Sequence, residues 1–293
     1  MTIADAALAP APPTADALVR QALRYRNAGV EARAIDLFKQ ALAIDPLYVP
    51  ALSQLAATYI DQGKAAPAME LLADAERQAP NSATVRRLLA LARLQRRDLK
   101  RARADAAEAV RLTPDDGVNH TILGRVMTAQ RLWQDADAEL KRGVELAPDI
   151  AYTLVHRGYF LLARGRIKEA GEVADAAGRA APEDLGVLLL RGDAALRAGR
   201  VAEAKDFALW AVSQRPDSRQ ALRLLISAKT RQSWLLGLWW RMTYSIWLRL
   251  ALVALFLPFG LWFLPAIYLI AGQVIFKQML DRELKAVKLK PGF

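Results

Sequence analysis

The chain has 293 residues, no cysteine, two histidines and a formal net charge of +11. Disulfide scaffolds, thiolate metal sites and thiol nucleophiles are thereby excluded, and two histidines leave little for a zinc site or a triad. At 54% hydrophobic residues the chain has enough apolar surface to fold, and a pI near 10.1 suits either nucleic acid or an anionic membrane, depending on where the charge sits.

The charge is local. Residues 1–218 hold 30 Lys+Arg against 28 Asp+Glu, a net of +2, whereas residues 219–293 hold 11 against 2, a net of +9. The near-neutral first part speaks against nucleic acid as a partner. Five of the seven tryptophans also fall in the last part.

Residues 1–14, rich in Ala and Pro, predict a disordered lead, with acids and prolines where a secretory signal needs a basic then an apolar run. From there the chain is periodic. Prolines stand in equal steps at 46, 80, 114, 148, 182 and 216, and a period of that length indicates a solenoid. Twelve residues before each proline is an alanine: Ala34, Ala68, Ala102, Ala136, Ala170 and Ala204. Five before it stand Ala41, Ala75, Ala109, Gly143, Ala177 and Ala211, and twenty-four before it Ala22, Ala56, Ala90, Gly124, Gly158 and Gly192. Small side chains recurring at one spot let two helix axes approach where they cross. Larger apolar residues at helical spacing, such as Leu52, Leu55, Tyr59, Met69 and Leu72, fill the intervals. Seventeen residues before four of the prolines is a glycine, suited to a left-handed helix terminus, with Arg97 and Arg131 as the exceptions. Each unit therefore predicts helix, tight turn, helix, proline turn.

On these columns the sequence resembles the tetratricopeptide repeat family over about residues 15–218. Repeat two is the closest, with Leu52, Leu55, Ala56, Tyr59, Gly63, Ala68, Leu72, Ala75 and Pro80. The resemblance implies an all-α solenoid of six repeats (15–48, 49–82, 83–116, 117–150, 151–184 and 185–218) with a capping helix over 219–232. Arg93, Arg157 and Arg191 stand where the family prefers apolar side chains. The family's first helices line a concave groove for a peptide or partner helix. Carried over by position, the groove-facing candidates are Arg87, Leu91, Thr121, Arg125, Tyr152, Tyr159 and Asp193, with Arg125, Tyr152 and Tyr159 the first to test. The family's clamp for a terminal carboxylate is not matched.

Residues 233–293 read as a membrane anchor. The stretch 250–276 runs 27 residues without a charge. Before it, Trp234, Trp239, Trp240, Arg241, Trp247 and Arg249 predict an interfacial helix, since such rings and cations favour the headgroup layer. One straight span would be roughly 40 Å long against a hydrocarbon core of about 30 Å. The turn residues Pro258 and Gly260, with Trp262 at an apex, instead favour a hairpin of helices near 240–257 and 261–277. Basic residues on both flanks, from Lys229 and Arg231 to Lys277 and Lys290, agree with a hairpin, while Arg249 inside its first helix opposes it. Single span and hairpin both stay open between 240 and 277.

Catalysis is not expected. His120 falls at a core position, His156 has no acid or serine at a recognisable spacing, and Asp115-Asp116 and Glu183-Asp184 sit where helix N-termini attract acids. No phosphate loop, cofactor motif or metal-ligand spacing occurs. The expectation is a non-enzymatic scaffold on a membrane, in a bacterial inner membrane with its repeats facing the cytoplasm, recruiting a protein partner through the groove. The alternative is a structural subunit of a membrane complex, assembled through its C-terminal helices.

Overall fold

The computed structural model describes residues 13–232. They form thirteen helices and no strand: α1 Ala15–Asn27, α2 Glu31–Ile44, α3 Val49–Asp61, α4 Ala65–Gln78, α5 Ala83–Gln95, α6 Leu99–Leu112, α7 Gly117–Ala129, α8 Trp133–Leu146, α9 Ala151–Ala163, α10 Ile167–Ala180, α11 Leu185–Arg197, α12 Val201–Gln214 and α13 Arg219–Gln232. In the first repeat the helices have 13 and 14 residues, and every later helix begins one constant period after its counterpart. The chain divides between Pro148 and Asp149 into two compact units, α1–α8 and α9–α13.

Within each unit the small columns do what their size allows. Ala34, Ala68, Ala102, Ala136, Ala170 and Ala204 are all fully buried, as are Ala22, Ala56 and Ala90. Where glycine replaces alanine, a bulky neighbour has moved in. A Cβ built on Gly124 falls 2.6 Å from Leu140 Cγ, and one on Gly158 falls 2.5 Å from Leu190 Cδ2. Phe38, Leu52, Leu72 and Leu89 fill the core of the first unit, and Leu188, Leu190 and Leu225 that of the second.

The turns explain the glycine column. Gly29, Gly63, Gly165 and Gly199 have φ of 77°, 74°, 75° and 81°, and the amide after each closes back on a carbonyl five residues earlier, as Val30 N does on Tyr25 O at 2.8 Å. Arg97 and Arg131 adopt the same left-handed geometry, at φ 64° and 63°, and make the same closing bonds, Asp98 N on Arg93 O and Leu132 N on Met127 O. The exceptions in sequence are thus not exceptions in structure. A side chain there costs about 1 kcal/mol, so Arg97→Gly and Arg131→Gly should each raise stability by about that amount in urea denaturation.

The three arginines at apolar positions are also accommodated. Arg157, 7% exposed, lies 5.6 Å from the centre of the Phe160 ring, and Arg191 lies 4.2 Å from that of Phe207. Arg93 pairs with the buried carboxylate of Asp105. Asp105 is also 3.5 Å from Arg86, which reaches Glu76 at 2.6 Å, so one charged network ties α4, α5 and α6 together.

Neighbouring repeats are further joined by side chains on main-chain carbonyls at a helix end. Gln95 donates to Ile60 O at 2.7 Å, Arg197 to Leu162 O at 3.1 Å and Arg231 to Leu196 O at 2.8 Å, each across 35 residues. Each of these carbonyls also accepts the amide of the glycine in its own turn, for Ile60 that of Gly63, so the side chain from the next repeat is a second donor to it.

Two sequence boundaries shift. Thr14, assigned to the disordered lead, caps α1 by accepting from Ala17 N. Lys229, counted with the basic flank, is only 8% exposed on α13. Among the described residues no helix is long and apolar enough to cross a membrane. The membrane-interface residues Trp234, Trp239, Trp240, Arg241, Trp247, Arg249, Trp262 and Lys277, and the apolar run 250–276, lie outside the described residues.

Candidate functional site

The nominated residues come from the first helices of repeats three to six, α5, α7, α9 and α11, at their second, fifth and ninth positions. Spacings of three and four put these on one helical face. The ninth position is half-buried in every repeat: Leu23, Ala57, Leu91 and Arg125 in the first unit, and Tyr159, Asp193 and Ser227 in the second. A half-buried column is a surface that side chains line but do not close.

In the first unit, Arg87 on α5 donates to Asp116 at 3.1 Å, and Asp116 caps α7 by accepting from Val118 N at 2.8 Å. Arg87 is therefore partly committed to holding two repeats together. Leu91 packs against the core beside Leu88 and Leu89. Thr121 does not face a groove. It is fully buried, its Oγ1 on Gly117 O at 2.8 Å and pressed against Gly143, because α7 and α8 approach closely enough to close over it. Arg125 remains half-buried on α7.

In the second unit, Tyr152 meets His156 edge-on, ring centres 4.4 Å apart. Tyr159 on α9 hydrogen-bonds Asp193 on α11, and the two border an open cleft of about 340 Å³. Leu189 on α11 and Gln220, Arg223, Leu224 and Ser227 on α13 complete its lining. Burial pushes the Asp193 carboxyl above its ordinary range, with the Arg197 cation and the Tyr159 hydrogen bond working in the opposite direction. Burial also pushes the Tyr159 phenol well above its ordinary value of 10.0, reinforced by the Asp193 charge and hydrogen bond. Since the folded value lies above the unfolded one, the phenol's contribution is fully present below about pH 10 and is lost as pH rises through the folded value. Tyr159→Phe should accordingly be less stable near neutrality but lose stability less steeply with pH in the alkaline range, as read by denaturant titration.

The pairing of Tyr159 with Asp193 joins two nominated residues. The structure adds Leu189, Gln220, Arg223 and Ser227, and the signal for them was available. Gln220, Arg223 and Ser227 stand one repeat after Gly186, Leu189 and Asp193, so α13 continues the same columns. Treating α13 as a cap hid its role as a cleft wall.

Among the described residues no cluster of His, Asp and Glu could hold a metal. His120 bridges Glu139 Oε2 at 2.7 Å and Pro114 O at 2.9 Å, a tie between α7, α8 and the preceding turn.

The tetratricopeptide repeat family's sequence model matches residues 28–92. Over those residues the chain is similar to tetratricopeptide repeats. Solved structures share the fold over more of its length. A chain of the APC/C hetero-tetramer Cut9–Hcn1 superposes with a TM-score of 0.62 at 17% identity, over 77% of this chain and 45% of that one. A thermophilic tetratricopeptide protein of Thermus thermophilus gives 0.58 at 24% identity, over 62% of this chain and 100% of that one. PilW, described as a widely conserved type IV pilus biogenesis factor, gives 0.55 at 18%, over 72% and 98%. At such identities the likeness speaks for the fold alone, and this chain spans less than half of the Cut9–Hcn1 relative. No curated protein sequence matches it. Tetratricopeptide proteins generally mediate protein–protein contacts and are generally not catalysts.

Proposed function

We propose that this chain is a non-enzymatic tetratricopeptide scaffold that is anchored to a membrane and recruits a protein partner through the faces of its first helices. The observation that carries the reading is the cleft on α9, α11 and α13. It combines an aromatic ring, a paired carboxylate and the exposed Arg223 over an apolar floor of Leu189 and Leu224. Such mixed polar and aromatic lining suits a peptide segment with both apolar and charged side chains.

The full chain, immobilised in detergent and exposed to a cell extract, should retain a partner that Tyr159→Ala with Arg223→Ala weakens. Retention unaffected by that pair would exclude the cleft as the recruiting surface.

The anchor belongs to residues 233–293. The supporting features are the uncharged run 250–276 and the net +5 of residues 233–293, seven Lys+Arg against two Asp+Glu, each cation near an anionic leaflet contributing about 1 kcal/mol. In this reading the repeats lie on the cytoplasmic side of a bacterial inner membrane. Because the chain has no cysteine, single cysteines at the exposed Arg219 and at Lys290 can be labelled with a membrane-impermeant maleimide in intact cells. Equal protection supports a hairpin, and labelling of Lys290→Cys alone establishes a single span.

The length of the same apolar run favours one second reading, a structural subunit assembled through its membrane helices. Deleting residues 233–293 separates the two: a scaffold keeps its soluble partner, and a subunit loses its complex.

A further inference from the structure

The small net charge of residues 1–218 conceals a second concentration of cations. Residues 93–103 hold Arg93, Arg96, Arg97, Lys100, Arg101 and Arg103 against the single acid Asp98, a net of +5. The rest of 1–218 holds 24 Lys+Arg against 27 Asp+Glu, a net of −3. The run covers the last turn of α5, the tight turn and the first turn of α6, so the fold gathers these cations at one end of a helix pair.

Most of this charge is uncommitted. Arg93 pairs with Asp105, and Arg101 reaches Asp98 at a loose 3.7 Å. Arg96, Arg97, Lys100 and Arg103 are exposed and have no acidic partner among the described residues. Some other exposed arginines near helix ends are paired within one turn, as Arg77 is with Asp74, Arg111 with Glu108 and Arg200 with Glu203, but none of those ends gathers as many cations.

The surface is also shaped. Arg93, Arg96, Asp98 and Arg101 enclose, with Met69 of α4, a cleft of about 210 Å³. Its size suits a carboxylate-bearing side chain, and Met69 adds an apolar contact for that side chain's stem. Five of the six cations are arginine, whose planar fork grips a carboxylate through two parallel hydrogen bonds where lysine offers a point charge.

We propose that the α5–α6 turn is a second docking surface, separate from the first-helix faces, for an acidic segment of a protein partner. A bilayer surface rewards the number of cations more than their geometry, and here a carboxylate, Asp98, stands inside the cleft. Single-stranded nucleic acid needs stacking platforms, and residues 93–103 contain no aromatic ring.

The test uses the full chain in detergent, with one environment-sensitive dye on Ala107→Cys, an exposed position of α6 beyond the cation run. Decaglutamate is the probe. A local dye is required because the cationic residues 219–293 also attract the peptide. A saturable response is expected, weakened about tenfold by Arg96→Gln with Arg101→Gln, the equivalent of losing one charge-assisted hydrogen bond. It should change less than about twofold with Arg33→Gln and Lys39→Gln, two exposed α2 cations whose removal alters net charge equally. Neither pair touches Arg93 or the buried Asp105, so thermal melting of both variants should match the parent. Equal weakening by the two pairs would reduce the effect to general charge and overturn the proposal. So would a tighter, Arg96/Arg101-dependent response to phosphatidylglycerol vesicles or to oligouridylate than to the peptide.

Discussion

Asp105→Ala is expected to destabilise the first unit by about 3 kcal/mol, read as a lower midpoint in urea denaturation with the slope unchanged. The carboxylate is 4% exposed, and its loss leaves Arg93 partly buried without its main acceptor, while Arg86 keeps Glu76 and loses a more distant second one. Removing one member of a fully buried pair costs about 3–5 kcal/mol, and the side-chain exposure of 20% and 23% at the two arginines places this case at the low end. Burial raises the Asp105 pKa despite the two cations, so desolvation outweighs the attraction. It follows that Arg93→Leu with Asp105→Leu, which removes charge on both sides, should cost less than Asp105→Ala alone. If Asp105→Ala cost no more than an ordinary surface substitution, about 0.5 kcal/mol, the network would be incidental.

The second large effect concerns glycine. In an exposed helix, Gly→Ala normally gains about 1 kcal/mol, and Gly171→Ala on α10, where a Cβ meets nothing within 4 Å, should do so. Gly117→Ala should instead cost about 3 kcal/mol. Its Cβ would run into the main-chain carbonyl of Gly143 and lie 2.8 Å from Ala147 Cβ, and main chain cannot rotate away as a side chain can. Opposite signs for one chemical change at two helical sites would establish that α7 and α8 meet backbone to backbone. Equal signs would refute it.

The columns of the sequence contain most of this fold. Alanine at six equivalent places predicted close helix crossings, and each of those alanines is buried. What the period did not disclose is what happens where a column changes. Gly143 stands in an alanine column, and the reason is Thr121, which sequence position assigned to a groove and the closeness of α7 and α8 puts inside. A family position specifies a direction from the helix axis, whereas exposure depends on how near the next helix comes. Arg97 and Arg131 likewise broke the glycine column without altering the turn, because the closing hydrogen bond sets the backbone and the side chain tolerates it at a cost. The cleft of Tyr159 and Asp193 was half legible: two nominated residues meet there, but its far wall belongs to a helix assigned to capping. The cations of residues 93–103 were hidden by averaging, since acids elsewhere cancel them in the sum.

From α1 to α12, helices of two alternating lengths, recurring at one fixed interval with no insertion, leave the chain a difficulty of assembly order. Loop length cannot tell one slot from another, so during folding a helix fits its neighbour's place almost as well as its own. The departures from the repeat supply the missing addresses. Leu190 fits against a glycine at 158 and Leu224 against one at 192, where the alanine of an earlier repeat would collide. The Asp105 carboxylate is satisfied only beside Arg93 and Arg86. Making the repeats more alike, the usual route to a more stable array, would here erase the marks that keep its members in sequence.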